Sequence, residues 1–301
     1  MNRPLFRATV AVISAAASTD LYAQPQYMMI AHRNAVRTYD PYDGHLVHSS
    51  YINLANLPPS VSRSPYEIRN VGSELWLTDF ETRRINRFSQ NGNHLGDILM
   101  PGSLTPRGME VVGDTAYVAS PDGVRMFDFE GNEVGSFDTG QSSMEDIALV
   151  NGELLTSSNS AVLPSIRRFD FSGNPLGDFG TLAAWSRQVS MEPNGNVLVK
   201  ADGHFGVGEG TYEFDAAGNQ LNYWTIQTTG GGGNAYGVFR LGNGNIFITG
   251  ETGTVIFNPV TGESQNVSGQ AAKFISLVTV PAPGIGAGLL MGLAVMRRRL
   301  R

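Results

Sequence analysis

The sequence predicts an all-β, six-bladed propeller of four-stranded antiparallel blades that occupies residues 24–280 of the 301. Three observations predict it. A glycine hairpin recurs at near-regular spacing, each interval holds short strand-like segments, and the first copy lacks a strand that the last copy has in excess.

The hairpins come first. They read Pro41-Tyr42-Asp43-Gly44, Gln90-Asn91-Gly92-Asn93, Glu130-Gly131-Asn132, Ser172-Gly173-Asn174, Ala217-Gly218-Asn219 and Thr261-Gly262-Glu263, with glycines 48, 39, 42, 45 and 44 residues apart. Glycine supplies the positive φ of a tight hairpin without a Cβ clash. The strands between them are clearest in the third copy: Pro106–Val112, Thr115–Ala119, Val124–Phe129 and Glu133–Phe137. Each is short and alternates in polarity, as a half-buried antiparallel strand does. Closure follows from counting. The first copy offers only Tyr27–Ala31, Ala35–Tyr39 and Leu46–Ile52, while Phe274–Val280 is an orphan after the sixth hairpin. Pairing the two would complete the first blade and remove an open sheet edge. Five or seven blades are the competing counts. Pro106-Arg107-Gly108-Met109 and the Gly-Asn hairpins resemble NHL-repeat and related six-bladed propellers over residues 27–280.

The two ends read as addresses. Residues 1–23 form a secretory signal, with Arg3 and Arg7 ahead of the apolar run Ala8–Ala17 and small Ala23 before Gln24. At the other end Pro281-Ala282-Pro283-Gly284 precedes an apolar stretch to Met296 and then Arg297-Arg298-Arg299-Leu300-Arg301. Residues 281–301 resemble a PEP-CTERM sorting signal, with Ala282 in place of the usual glutamate, as in a planctomycete-like Pro-Ala-Pro-Gly variant. That resemblance implies an exosortase-type processing enzyme as partner. Residues 283–296 span roughly 21 Å as a helix, short of a ~30 Å hydrocarbon core, so the segment suits transient or permanent membrane attachment. The arginines belong on the cytoplasmic side. The chain is thus expected to be exported to the cell surface or exterior, first held at the inner membrane.

Composition narrows the partners. Removing six terminal arginines and Asp20 from the 21 basic and 27 acidic residues leaves 15 and 26, a body of net charge −11. Such a body repels nucleic acid. The absence of cysteine excludes disulfides, thiolate metal sites and a cysteine nucleophile.

Catalytic signatures are few. His32, His45, His48, His94 and His204 read as rim or turn residues, and His45 and His48 point to opposite strand faces. The glycine runs at 203–210 and 230–233 lack a following Lys-Ser/Thr and read as rim loops. Asp40-Pro41-Tyr42-Asp43-Gly44 lacks the later glutamate of a calcium loop and reads as a turn. No Gly-x-Ser-x-Gly elbow is present.

Architecture points instead to the channel mouth. Aligning the six inner strands places Tyr66, Arg107, Glu145, Arg187, Tyr236 and Lys273 in one ring, with Glu67, Gly108, Asp146, Gln188, Gly237 and Phe274 beside it. Aromatic faces and guanidinium forks suit an acidic or sugar ligand, whereas mutual ion pairing would plug the channel. The reading is a non-catalytic binding or matrix-associated protein that engages a cell-envelope or extracellular-matrix component, without a cofactor. One alternative is a metal-dependent lactonase-like hydrolase or lyase holding calcium or another divalent ion at the mouth, although Arg107, Arg187 and Lys273 crowd Glu67, Glu145 and Asp146. Another is a protein-interaction scaffold using rim loops 156–165 and 201–211.

Overall fold

In the computed structural model, residues 25–280 are described apart from 59, 160–165, 181, 183–184, 203–207 and 231–233. The predicted signal and sorting segments lie outside the described residues. Among the described residues no helix is long and apolar enough to cross a membrane.

Six four-stranded antiparallel sheets form, each with strands in radial order. The inner strands are Ala272–Thr279, Pro65–Val71, Met109–Val112, Met144–Val150, Trp185–Met191 and Ala235–Arg240, for blades one to six. Blade one is composite. Its inner strand comes from the end of the propeller and pairs with Gln26–His32, in the register Tyr27 to Val278, Met29 to Ser276 and Ile30 to Ile275. The predicted closure is therefore present.

Burial explains the strand chemistry. Second strands are sandwiched on both faces and carry continuous apolar runs, as in Leu75-Trp76-Leu77 and Val197-Leu198-Val199. Outer strands such as His94–Leu99 and Pro175–Asp178 are largely exposed. One apolar cluster fills each of the six seams between neighbouring blades. The core is therefore a ring of seams around a polar axis.

The hairpins contain a device beyond glycine. The Asp170 carboxylate accepts the backbone N–H of Ser172 at 2.8 Å and of Asn174 at 2.9 Å, while the Asn174 side chain donates to it at 2.7 Å. Asp128 with Asn132 and Asp215 with Asn219 repeat the arrangement. Asp-x-x-Gly-Asn is thus the turn signature in three blades, with the aspartate doing the work of an Asx turn. Asp40 and Asp43 likewise accept turn N–H groups, and Asp43 also pairs with His45 at 2.6 Å. Together with His45 they are the only group of three close metal-type ligands among the described residues, and they sit on the surface.

Three expectations need correction. The windows 156–165 and 201–211 are not wholly rim loop, because the strands Glu153–Ser158, Val197–Asp202 and Gly210–Phe214 run into them. Gly230 does not simply join a loop: it caps a short helix, Ile226–Thr229, in the left-handed conformation. His32 is no rim residue, being 3% exposed and facing the Ala271 carbonyl at 3.0 Å.

Burial, and then the charge of Arg37, hold the His32 pKa down at about 4, against an ordinary 6.5. Between those pH values the unfolded chain binds a proton that the folded one refuses. Stability should therefore rise with pH from about 4 to 6.5, by on the order of 2–3 kcal/mol. Denaturant midpoints across this range, compared with His32→Gln, test the assignment: the variant should lose that part of the slope.

Candidate functional site

The aligned ring is assembled at one mouth of the channel. In five inner strands the ladder register shifts where the ring residue sits: Pro65/Ile68, Met144/Asp146, Ser186/Val189, Ala235/Gly237 and, across the closing pair, Ile30/His32. Such irregularities re-aim side chains, here toward the axis.

Glu145 is the hub. It is 1% exposed and accepts from Arg107 at 2.6 Å, from Arg187 at 2.8 Å and from the Tyr66 hydroxyl. Arg187 reaches on to Asp202 at 2.7 Å and lies over the Tyr236 ring. Although burial opposes its charge, the carboxylates of Glu145 and Asp202 hold the Arg187 pKa above the ordinary value. Tyr66 is pushed well up by burial and by the Glu145 charge, so its hydroxyl stays a donor. Lys273 stands over Tyr236 at 3.3 Å and 5.7 Å from the Tyr66 centroid.

Around the ring the chemistry alternates. Odd blades contribute Lys273, Arg107 and Arg187; even blades contribute Tyr66, Glu145 and Tyr236. Each cation therefore sits between two π or carboxylate neighbours. Arg107 and Arg187 share Glu145, whereas both ring neighbours of Lys273 are tyrosines.

The second column lies deeper and is committed to backbone. Glu67 accepts from Met109 N at 2.6 Å, Asp146 from Val189 N at 2.9 Å, and Gln188 from Val238 N at 3.1 Å and Ile275 N at 3.0 Å. Each thus clasps the inner strand of the next blade, and Gln188 also that of blade one, two blades on. Glu67 also pairs with Arg69 at 2.9 Å and accepts from Ser276 at 2.9 Å. Burial, then the Glu67 charge, raises the Asp146 pKa well above the carboxylate range. Gly108 and Gly237 have no side chain because none fits: a Cβ on Gly237 would meet Thr249 Oγ1 and the Lys273 carbonyl, the latter at 2.8 Å. Phe274 packs edge-on to Tyr66 at 4.9 Å between centroids.

Three mouth residues were not singled out from sequence: Phe80, Asp202 and Glu251. They sit at the exits of second strands in blades two, five and six. Phe80 lies under Arg107 at 5.2 Å, and Glu251 accepts from Tyr236 at 2.8 Å and Asn234 at 2.8 Å. Aligning the ends of second strands as well as the starts of inner strands would have found them.

The carboxylates at the mouth are tied to cations or hydroxyls and do not converge. Among the described residues, no three acidic or histidine ligands of the channel approach one another closely enough for a metal. The arrangement can present charge and aromatic faces, and its one ring carboxylate, Glu145, is fully engaged.

No protein-family profile and no curated protein sequence matches this chain. Solved structures do. A protein of unknown function from Bacteroides caccae matches with a TM-score of 0.59 at 14% identity, over 84% of this chain and 98% of that one. A chain of a nidogen/laminin complex matches with a TM-score of 0.67 at 13% identity, over 86% and 100%. Virginiamycin B lyase from Staphylococcus aureus, in a catalytically inactive form with quinupristin, matches with a TM-score of 0.58 at 12% identity, over 86% and 94%. At these identities the likeness shows the fold, a six-bladed β-propeller.

Proposed function

We propose that this chain is an exported, surface-displayed propeller that works by non-catalytic binding at its channel-mouth face. The observation that carries the reading is the sealing of Glu145 by Arg107, Arg187 and Tyr66. A general base needs a carboxylate with room for a substrate proton, and a divalent ion needs several converging oxygens. Among the described residues, the six-membered ring supplies neither. The secretory and PEP-CTERM-like ends support display, with an exosortase-type enzyme as processing partner and a cell-envelope or matrix component as target. Propeller neighbours include both a nidogen/laminin complex and a lyase, so the fold alone favours neither binding nor catalysis.

Two measurements test this. Mass spectrometry of surface-extracted protein should find a new N-terminus near Gln24 and loss of the residues after the Pro281–Pro283 motif; an intact 301-residue chain would overturn the display route. Calcium and zinc titrations should leave the Tm unchanged. A ligand specific to the folded state at 100 times its Kd adds about 2.7 kcal/mol, so a clear rise would favour the metal-dependent enzyme.

A further inference from the structure

The six-residue ring itself holds three cations and one carboxylate, and the carboxylates beside it, Asp202 and Glu251, are bound to other partners. Arg107 and Arg187 are neutralised by Glu145, and Arg187 by Asp202 as well. Lys273 has no hydrogen-bond acceptor or ion-pair partner among the described residues, only the faces of Tyr236 and Tyr66. The acceptors near it are engaged elsewhere: Glu251 by Tyr236 and Asn234, Glu145 by its three donors. At this half-buried mouth the three ammonium N–H groups thus have no protein oxygen as acceptor among the described residues.

Lys273 also lines a cleft of about 280 Å³ at the seam between blades one and two, together with Arg33, Arg63, Ser64 and Glu81. A second cleft of about 380 Å³ adjoins it and shares Arg33, Arg63 and Glu81. Arg33 is exposed and has no carboxylate partner among the described residues. Three cations to one acid is a reversal of sign on a body of net charge −11, where such a patch concentrates anions.

We propose that this cleft binds a small oxyanion, a carboxylate or phosphate group, with Lys273 as the anchoring donor and Arg33 and Arg63 as the flanking cations. The proposal rests on the binding reading above and names its ligand chemistry. Burial, with Glu251 opposing it and Arg187 assisting, lowers the Lys273 pKa to about 8. Free, the amine is thus partly unprotonated and nucleophilic near pH 8. An oxyanion bound beside it would restore the proton and block access.

The chain has two lysines, and the other, Lys200, is wholly buried and donates to the Gly210 carbonyl at 2.8 Å. Acylation with acetic anhydride, read by peptide mass spectrometry, therefore reports on Lys273 separately from the N-terminal amine. The full-length protein would be labelled across pH 7–10, with and without citrate or inorganic phosphate, at matched ionic strength in sodium chloride. At saturating probe we expect Lys273 labelling at pH 8 to slow by about tenfold, with its midpoint moved up by roughly one pH unit. Protection by citrate alone identifies a carboxylate site, and by phosphate alone a phosphate site. Arg33→Gln leaves the ring intact and should weaken protection several-fold, whereas Glu81→Gln should strengthen it. Labelling that neither probe slows, or that chloride slows equally, overturns the anion site. That outcome leaves the non-catalytic reading standing, and a metal-induced rise in Tm would do the reverse.

Discussion

Replacing Glu145 with alanine should lower the unfolding free energy by about 3–5 kcal/mol, because it strands two guanidinium groups that share one buried carboxylate. The loss is not the worth of the ion pairs. It is the cost of leaving Arg107 desolvated without a counter-charge, Arg187 with Asp202 alone, and the Tyr66 hydroxyl without its acceptor. The triple variant Glu145→Ala, Arg107→Met, Arg187→Met removes the three shared charges but leaves buried Asp202 without Arg187, so it should recover part of the loss. Urea unfolding of the single and triple variants decides it. A single variant within about 1 kcal/mol of the parent would mean that the hub is solvated rather than sealed.

The second large effect is expected at Gly108. Its N–H donates to the Glu145 carbonyl at 2.9 Å, and a Cβ would overlap Asp146 Oδ1 and stand 2.6 Å from the Asp146 Cα. The obstacle is backbone, so rotamer changes cannot relieve it. Gly108→Ala must force blades three and four apart at the axis, at a cost of about 3 kcal/mol or more. For a domain of this size that lowers Tm by roughly 6–12 °C. Gly269→Ala is the matched control, since nothing lies within 4 Å of its added methyl. Calorimetry of both variants should show a large drop for the first and little change for the second.

The blade count, the hairpin spacing and the closing strand were legible because period, turn chemistry and strand length all agree locally. The six ring residues were legible because each stands at the start of the inner strand that follows a hairpin, 11 to 22 residues after the hairpin glycine. Their alternation can be read from the same alignment, since Lys273, Arg107 and Arg187 fall on every second blade. What a linear pattern does not carry is partnership. Nothing in the string says that Glu145 meets two arginines from neighbouring blades and a tyrosine two blades away, or that Glu67, Asp146 and Gln188 face backbone N–H groups rather than a ligand. Those contacts join residues about 40 to 90 positions apart, set by the ring geometry. His32 was misplaced for a related reason: its burial comes from a strand some 240 residues downstream.

The composite first blade has a consequence for timing. Gln26 meets Thr279 across 253 residues, so the innermost strand of the first blade is the last to be synthesised. A nascent chain holds an unzipped ring however well its middle blades have formed. High contact order then makes completion the slow step. A circular permutant opened in the connection between Asn53 and Pro65, with the native ends joined by a short linker, would put the closing strand next to its partners in sequence and should refold faster than the natural order of the chain.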